Sequence, residues 1–83
     1  MKLSGSPETL RGRMVKVDLH GVLYEDVAAI MEWACSKHET PFVVITGNSP
    51  EMKRQVSKAC QIFNLSVRDA IDNPGRVVIY EAS

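Results

Sequence analysis

No stretch of this sequence stays apolar for anything like the ~20 residues that a membrane-crossing helix needs. Residues 1–13 also lack the apolar segment that follows the positive charge in a secretory signal, so the expected location is the cytoplasm. An excess of one charge sign is missing too. The chain has 10 Lys and Arg against 10 Asp and Glu, which excludes a protein that gathers nucleic acid through its overall field and leaves that task to a few placed residues. Cysteine is scarce. Cys35 and Cys60 have no CxxC spacing, which excludes the usual zinc and thiol-redox motifs. Both fall in helix-like segments, so buried free thiols are expected in a reducing compartment rather than a disulfide. There is no internal repeat and no low-complexity tract.

What remains is the composition of a globular chain, 45% apolar and 24% charged, with room in 83 residues for one domain and a modest core. Residues 1–13, with Ser, Gly and Pro and no apolar period, read as a mobile lead-in, and residues 14–83 as the domain. Over residues 14–20, Val15, Val17 and Leu19 alternate with Lys16, Asp18 and His20, which predicts a strand at residues 14–19 that Gly21 then breaks. Val27, Ile30, Met31 and Ala34 then give a helical stripe over Tyr24–Lys37. Acids sit in its first turn and Lys37 near its end, as the helix dipole favours. Phe42–Ile45 is apolar on both faces, the pattern of a strand interior to a parallel sheet.

Ser49 followed by Pro50 is a helix start, and Met52, Val56, Ala59, Cys60 and Phe63 carry that helix to about residue 63. Asn64 is suited to close it in the left-handed conformation. Leu65–Ala70 reads as a third strand, residues 72–75 as a turn, and residues 76–81 as the last strand. The order is β-α-β-α-β-β. Helical crossovers predict parallel strands and the short turn predicts an antiparallel hairpin. The expected architecture is thus a two-layer α/β sandwich, with a mixed four-stranded sheet and both helices on one side.

If the first two strands are parallel, their C-terminal ends share one edge of the sheet, where ligand sites of open α/β sheets gather. Asp18, His20 and Gly21 end the first strand; Thr46, Gly47, Asn48 and Ser49 end the second. The second helix adds unpaired backbone N–H groups suited to a phosphate, with Lys53 and Arg54 close by. Asp18 and His20 alternate on one face, so either could act as general base on an attacking water, with the imidazole as acid to the leaving oxygen. The plainer account is that Asp18 caps its loop and His20 is a turn residue. In the same plain terms, Ser49-Pro50-Glu51 is a well-formed helix start, and Lys53, Arg54 and Lys58 are a solvated face. His38 reads as a helix-end residue, and Met31 and Trp33 as core or packing residues.

Taken together, Val17-Asp18-Leu19-His20-Gly21 resembles the LDLHG signature of the small MutS-related (Smr) domain family. Thr46-Gly47-Asn48-Ser49 stands where that family has a TGxG or HGxG loop, and Val67-Arg68-Asp69-Ala70 is similar to the family's usual ending. The resemblance spans roughly residues 14–81. It implies a fold like the C-terminal domain of bacterial translation initiation factor three. It also implies nucleic-acid binding, often with endonuclease cleavage of DNA or RNA phosphodiester bonds, and in some members an association with ribosomes. Under it, Asp18 and His20 match the motif implicated in cleavage. Gly21, Thr46, Gly47, Asn48 and Ser49, with Lys53, Arg54 and Arg68, are the expected phosphate-holding residues. Ser49 departs from the pattern by replacing the loop's second glycine, which restricts how closely the backbone approaches a phosphate.

No cofactor motif is identified; the implied hydrolysis is compatible with a divalent metal such as Mg²⁺. The alternative function is a non-catalytic module that binds nucleic acid or a ribosomal partner through the same edge. Asp18 to Leu23 is also similar to the DxDGxL opening of haloacid dehalogenase-like phosphatases. There, however, His20 replaces the second aspartate, a poor exchange for a hard metal, and the chain has no room for that larger fold.

Overall fold

The second helix shows most directly how local chemistry sets the fold. In a computed structural model describing residues 14–81, the Ser49 hydroxyl accepts the Met52 N–H at 3.1 Å, and Pro50 takes the first helical position of α2, Pro50–Ile62. At its far end the N–H groups of Phe63 and Asn64 bond the carbonyls of Cys60 and Gln61, and Asn64 turns the chain with φ +59°. Met52, Val56, Ala59 and Cys60 form its buried face.

Helix α1, Tyr24–Lys37, starts without a side-chain cap, since Leu23 stands at that position. Glu25 and Asp26 supply the favourable first-turn charge, and Val27, Met31 and Ala34 are its buried stripe. Trp33 lies to the side of that stripe, 54% exposed, and packs edge-on against His38 with ring centroids 5.3 Å apart.

The four strands are β1, Lys16–Asp18; β2, Phe42–Ile45; β3, Leu65–Ala70; and β4, Asn73–Glu81. They form one mixed sheet in the order β1-β2-β4-β3, with β1 parallel to β2 and β4 antiparallel to both of its neighbours. The expected two-layer α/β class and mixed four-stranded sheet are present. Both helical crossovers step in the same direction across this order, so the right-handed rule sets both helices on one face, where they pack side by side. Leu19, Phe42, Val44, Val77 and Ile79 point toward them and are buried, with Val17, Leu65 and Val67 at the margin. The alternate residues, including Lys16, Val43, Ile45, Val78 and Tyr80, occupy the face that no helix covers.

Three details differ from expectation. The first strand is shorter than residues 14–19, although bonds from Val43 N–H to Val15 O and from Leu19 N–H to Ile45 O extend its pairing at each end. The apolar run of β2 reflects a central position between one parallel and one antiparallel neighbour rather than an all-parallel sheet. The last strand starts at Asn73, not at residue 76. The reversal is made by Ile71 and Asp72, and Asn73-Pro74-Gly75 forms an irregularity that shifts register between Asp69 and Ala70. The Asn73 carboxamide oxygen accepts the Gly75 N–H at 2.9 Å, so the turn-type sequence encodes a bulge. Pro74 precedes the residues of β4 that pair with β2, and its missing N–H leaves that ladder intact. The lead-in assigned to residues 1–13 lies outside the described residues. Among the described residues, no helix is long and apolar enough to cross a membrane.

Cys35 and Cys60 are free thiols with sulfurs 3.9 Å apart between the helices. Burial pushes the Cys60 thiol from its ordinary value near 9 up to about 12, and the neighbouring Cys35 adds to the shift. A raised folded-state value means that its stabilisation is complete below pH 9 and is lost as pH rises from about 9 toward 12. Urea melts across that range should show a falling midpoint, and Cys60→Ala should remove part of the decline. In melts at neutral pH, Met31→Ala should lower stability by about 2–5 kcal/mol, the loss typical of a buried cavity. The exposed neighbour change Trp33→Ala should lower it by less than about 1 kcal/mol.

Candidate functional site

Parallel pairing of β1 with β2 brings the two candidate loops to one sheet edge, and the Leu19 N–H to Ile45 O bond at 3.0 Å ties them at their base. The first loop is a tight turn closed by Val22 N–H on Leu19 O, also at 3.0 Å. Its third residue is Gly21 at φ +79°, the value that a type II turn sets at that position. Asp18 sits at the end of β1, with one carboxylate oxygen accepting the His20 N–H at 2.8 Å. Both side chains are exposed, yet no hydrogen bond or ion pair joins the Asp18 carboxylate to the His20 imidazole among the described residues. The loop-capping part of the plainer account is therefore realised. The carboxylate keeps a second oxygen for other work.

The second loop is anchored from β4. The Gly75 carbonyl accepts the N–H groups of both Thr46 and Gly47, at 3.0 and 2.9 Å. Thr46 is buried, its hydroxyl bonded to Gly47 O at 3.0 Å, and Gly47 takes φ +68°. The backbone N–H groups of Thr46 and Gly47 are thus engaged within the fold, while those of Asn48, Ser49 and Glu51 stay open at the start of α2, where phosphate donors are expected.

Ser49 does more than cap the helix. Its hydroxyl lies 3.0 Å from the Tyr24 hydroxyl, linking the start of α1 to the start of α2 across the edge. Sequence alone gives Tyr24 no role at the site beyond opening the helix behind the first loop. Gly75 reads in sequence as a turn residue, and its role as anchor depends on β4 lying beside β2, a non-local fact.

The expected cations are distributed unevenly. Lys53 Nζ pairs with Asp69 at 3.2 Å, and Arg54 pairs with Glu51. Hydrogen bonds from Arg54 and then Gln55 hold the Glu51 carboxyl below the usual carboxylate range. Arg68 lies over the Tyr80 ring, 5.8 Å from its centroid, on the sheet face opposite the helices. Its guanidinium is thus turned toward the uncovered face, although Arg68 also lines, with Lys53, Arg54 and Asp69, a shallow hollow between β3 and α2. Among the described residues, no group of three or more His, Cys, Asp or Glu side chains comes together that could hold a metal ion by protein ligands alone.

Compared with models of known protein families, with curated proteins and with solved structures, the chain matches none.

Because the Ser49 hydroxyl serves both Met52 and Tyr24, Ser49→Ala should lower stability by about 1 kcal/mol, and Ser49→Gly by only a few tenths as a cap. Denaturant titration of the two variants beside the parent chain measures this; equal stability in all three would remove Ser49 as the support of the edge.

Proposed function

We propose that this chain is a nucleic-acid-binding domain of the small MutS-related type, with a fold like the C-terminal domain of translation initiation factor three, and that it cleaves phosphodiester bonds in DNA or RNA. The observation that carries the reading is the convergence of Asp18-Leu19-His20-Gly21 and Thr46-Gly47-Asn48-Ser49 at one edge of the sheet, joined at their base. In this reading the free N–H groups at the start of α2 hold a phosphate oxygen. The second oxygen of Asp18 orients and deprotonates a water, whose oxygen attacks phosphorus, while protonated His20 donates to the leaving oxygen as the P–O bond breaks. A divalent metal such as Mg²⁺, if the reaction employs one, would supply charge neutralisation at the phosphate, with Asp18 as its protein ligand. The setting proposed is cytoplasmic.

A second reading, binding without catalysis to nucleic acid or a ribosomal partner, is favoured by a specific observation. The Asp18 carboxylate already accepts the His20 N–H, and among the described residues no hydrogen bond or ion pair joins it to the His20 imidazole. Cleavage of branched DNA and structured RNA by the purified chain, beside Asp18→Ala and His20→Ala, separates the two. The catalytic reading expects each variant to lose activity by at least about a hundredfold. Equal activity in all three removes Asp18 and His20 from catalysis, and nucleic-acid binding without cleavage selects the second reading.

A further inference from the structure

Because both helices lie on one side of the sheet, the other face is left as a surface with its own character. Lys16, Val43, Val78 and Arg68 are register partners, one from each strand, so a single row crosses the sheet with a cation at each end and two valines between. Adjacent strands lie about 4.8 Å apart, which separates the two cationic ends by roughly 14 Å of backbone. In the next row Arg76 stands beside Ile45. A shallow hollow of ≈ 380 Å³ opens on this face, with Arg68, Arg76, Val43 and Val78 in its wall. At the far side the guanidinium of Arg68 lies over the ring of Tyr80.

The acids that border the face are Asp18, engaged with the His20 N–H, and Asp72 in the β3–β4 link. Although the chain as a whole is neutral, three cations thus gather on a half-buried apolar floor, while the two helices balance Lys37, Lys53, Arg54 and Lys58 against Glu25, Asp26, Glu32 and Glu51.

We infer that this uncovered sheet face is a platform for single-stranded nucleic acid, with bases on the apolar floor and against the stacked Arg68 and Tyr80, and phosphates on Lys16, Arg68 and Arg76. Charge complementarity selects a polyanion. The floor selects its unpaired form, because a duplex hides its bases and offers only phosphate to such a surface, whereas unpaired bases stack on aromatic rings and guanidinium planes. The inference rests on the nucleic-acid reading above and adds a substrate class and a second contact surface. Asp18 occupies the row next to Lys16, so a strand lying on the platform passes the end of β1 where the candidate loop begins.

The test is fluorescence anisotropy of labelled RNA and DNA oligonucleotides, each as single strand and as annealed duplex, titrated with the intact chain over a range of salt. Single strands should bind more tightly than duplexes. The double variant Arg68→Ala with Arg76→Ala should weaken single-strand binding and flatten the slope of log K against log salt by about 1.4, the value for two lost phosphate contacts. Tyr80→Leu should weaken binding about tenfold, and Tyr80→Phe, which keeps the ring, should not. Lys37→Ala with Lys58→Ala, an equal loss of charge on the helical side, should bind as the parent does. Matching circular-dichroism melts confirm that each variant is folded.

Parent-like binding and salt slope in the Arg68 and Arg76 variant would overturn the platform while leaving the loop site standing. So would duplexes that bind as tightly as single strands. No binding of any nucleic acid by the parent chain would overturn both. Competition by polyglutamate as strong as that by the oligonucleotide would assign the face to an acidic protein partner instead.

Discussion

A strand that runs parallel to its predecessor cannot be reached by a tight turn, so the chain between β1 and β2 must travel back along the sheet, and α1 is that return. Much of the molecule follows from this pairing. It sets the exits of β1 and β2 side by side and gives each a loop on the same edge. The crossover from β2 to β3 repeats the move in the same direction, so α2 lands beside α1 and its first turn opens at that edge. Only the last connection is free of the constraint. It is a hairpin, and β4 folds back into the space between β2 and β3.

The parts of this arrangement that were legible in the sequence are those encoded over a few residues. Ser49-Pro50 and Asn64 delimit α2 because an N-cap oxygen, a preset proline φ and a residue tolerant of the left-handed region are local needs met by local chemistry. The stripe of Val27, Met31 and Ala34 locates α1 for the same reason. The insertion of β4 was not legible, since Asn73-Pro74-Gly75 signals a change of direction equally well whether it makes a reversal or a bulge.

The candidate site divides along the same line. That Asp18, His20 and the loop from Thr46 to Ser49 share an edge followed from parallel pairing alone. That the Asp18 carboxylate turns to its own loop, that Lys53 and Arg54 are met by Asp69 and Glu51, and that Arg68 belongs to the opposite face are outcomes of side-chain neighbours brought together by the fold. A net charge of zero had a similar effect. It excluded a strong overall field but could not reveal that the charges of the two helices balance while cations outnumber acids on the uncovered face.

The carbonyl of Gly75, which receives the N–H groups of Thr46 and Gly47 together, ties the second loop to β4. Because β4, like β2, lies between two partners in the sheet, that loop is held by a strand paired along both edges. Its motion is then the motion of the sheet rather than of the helix it introduces. A ligand arriving at this edge meets one wall already fixed in place, and at Gly21 and Gly47 alike it finds open space, with no neighbour within 4 Å of the position a Cβ would take.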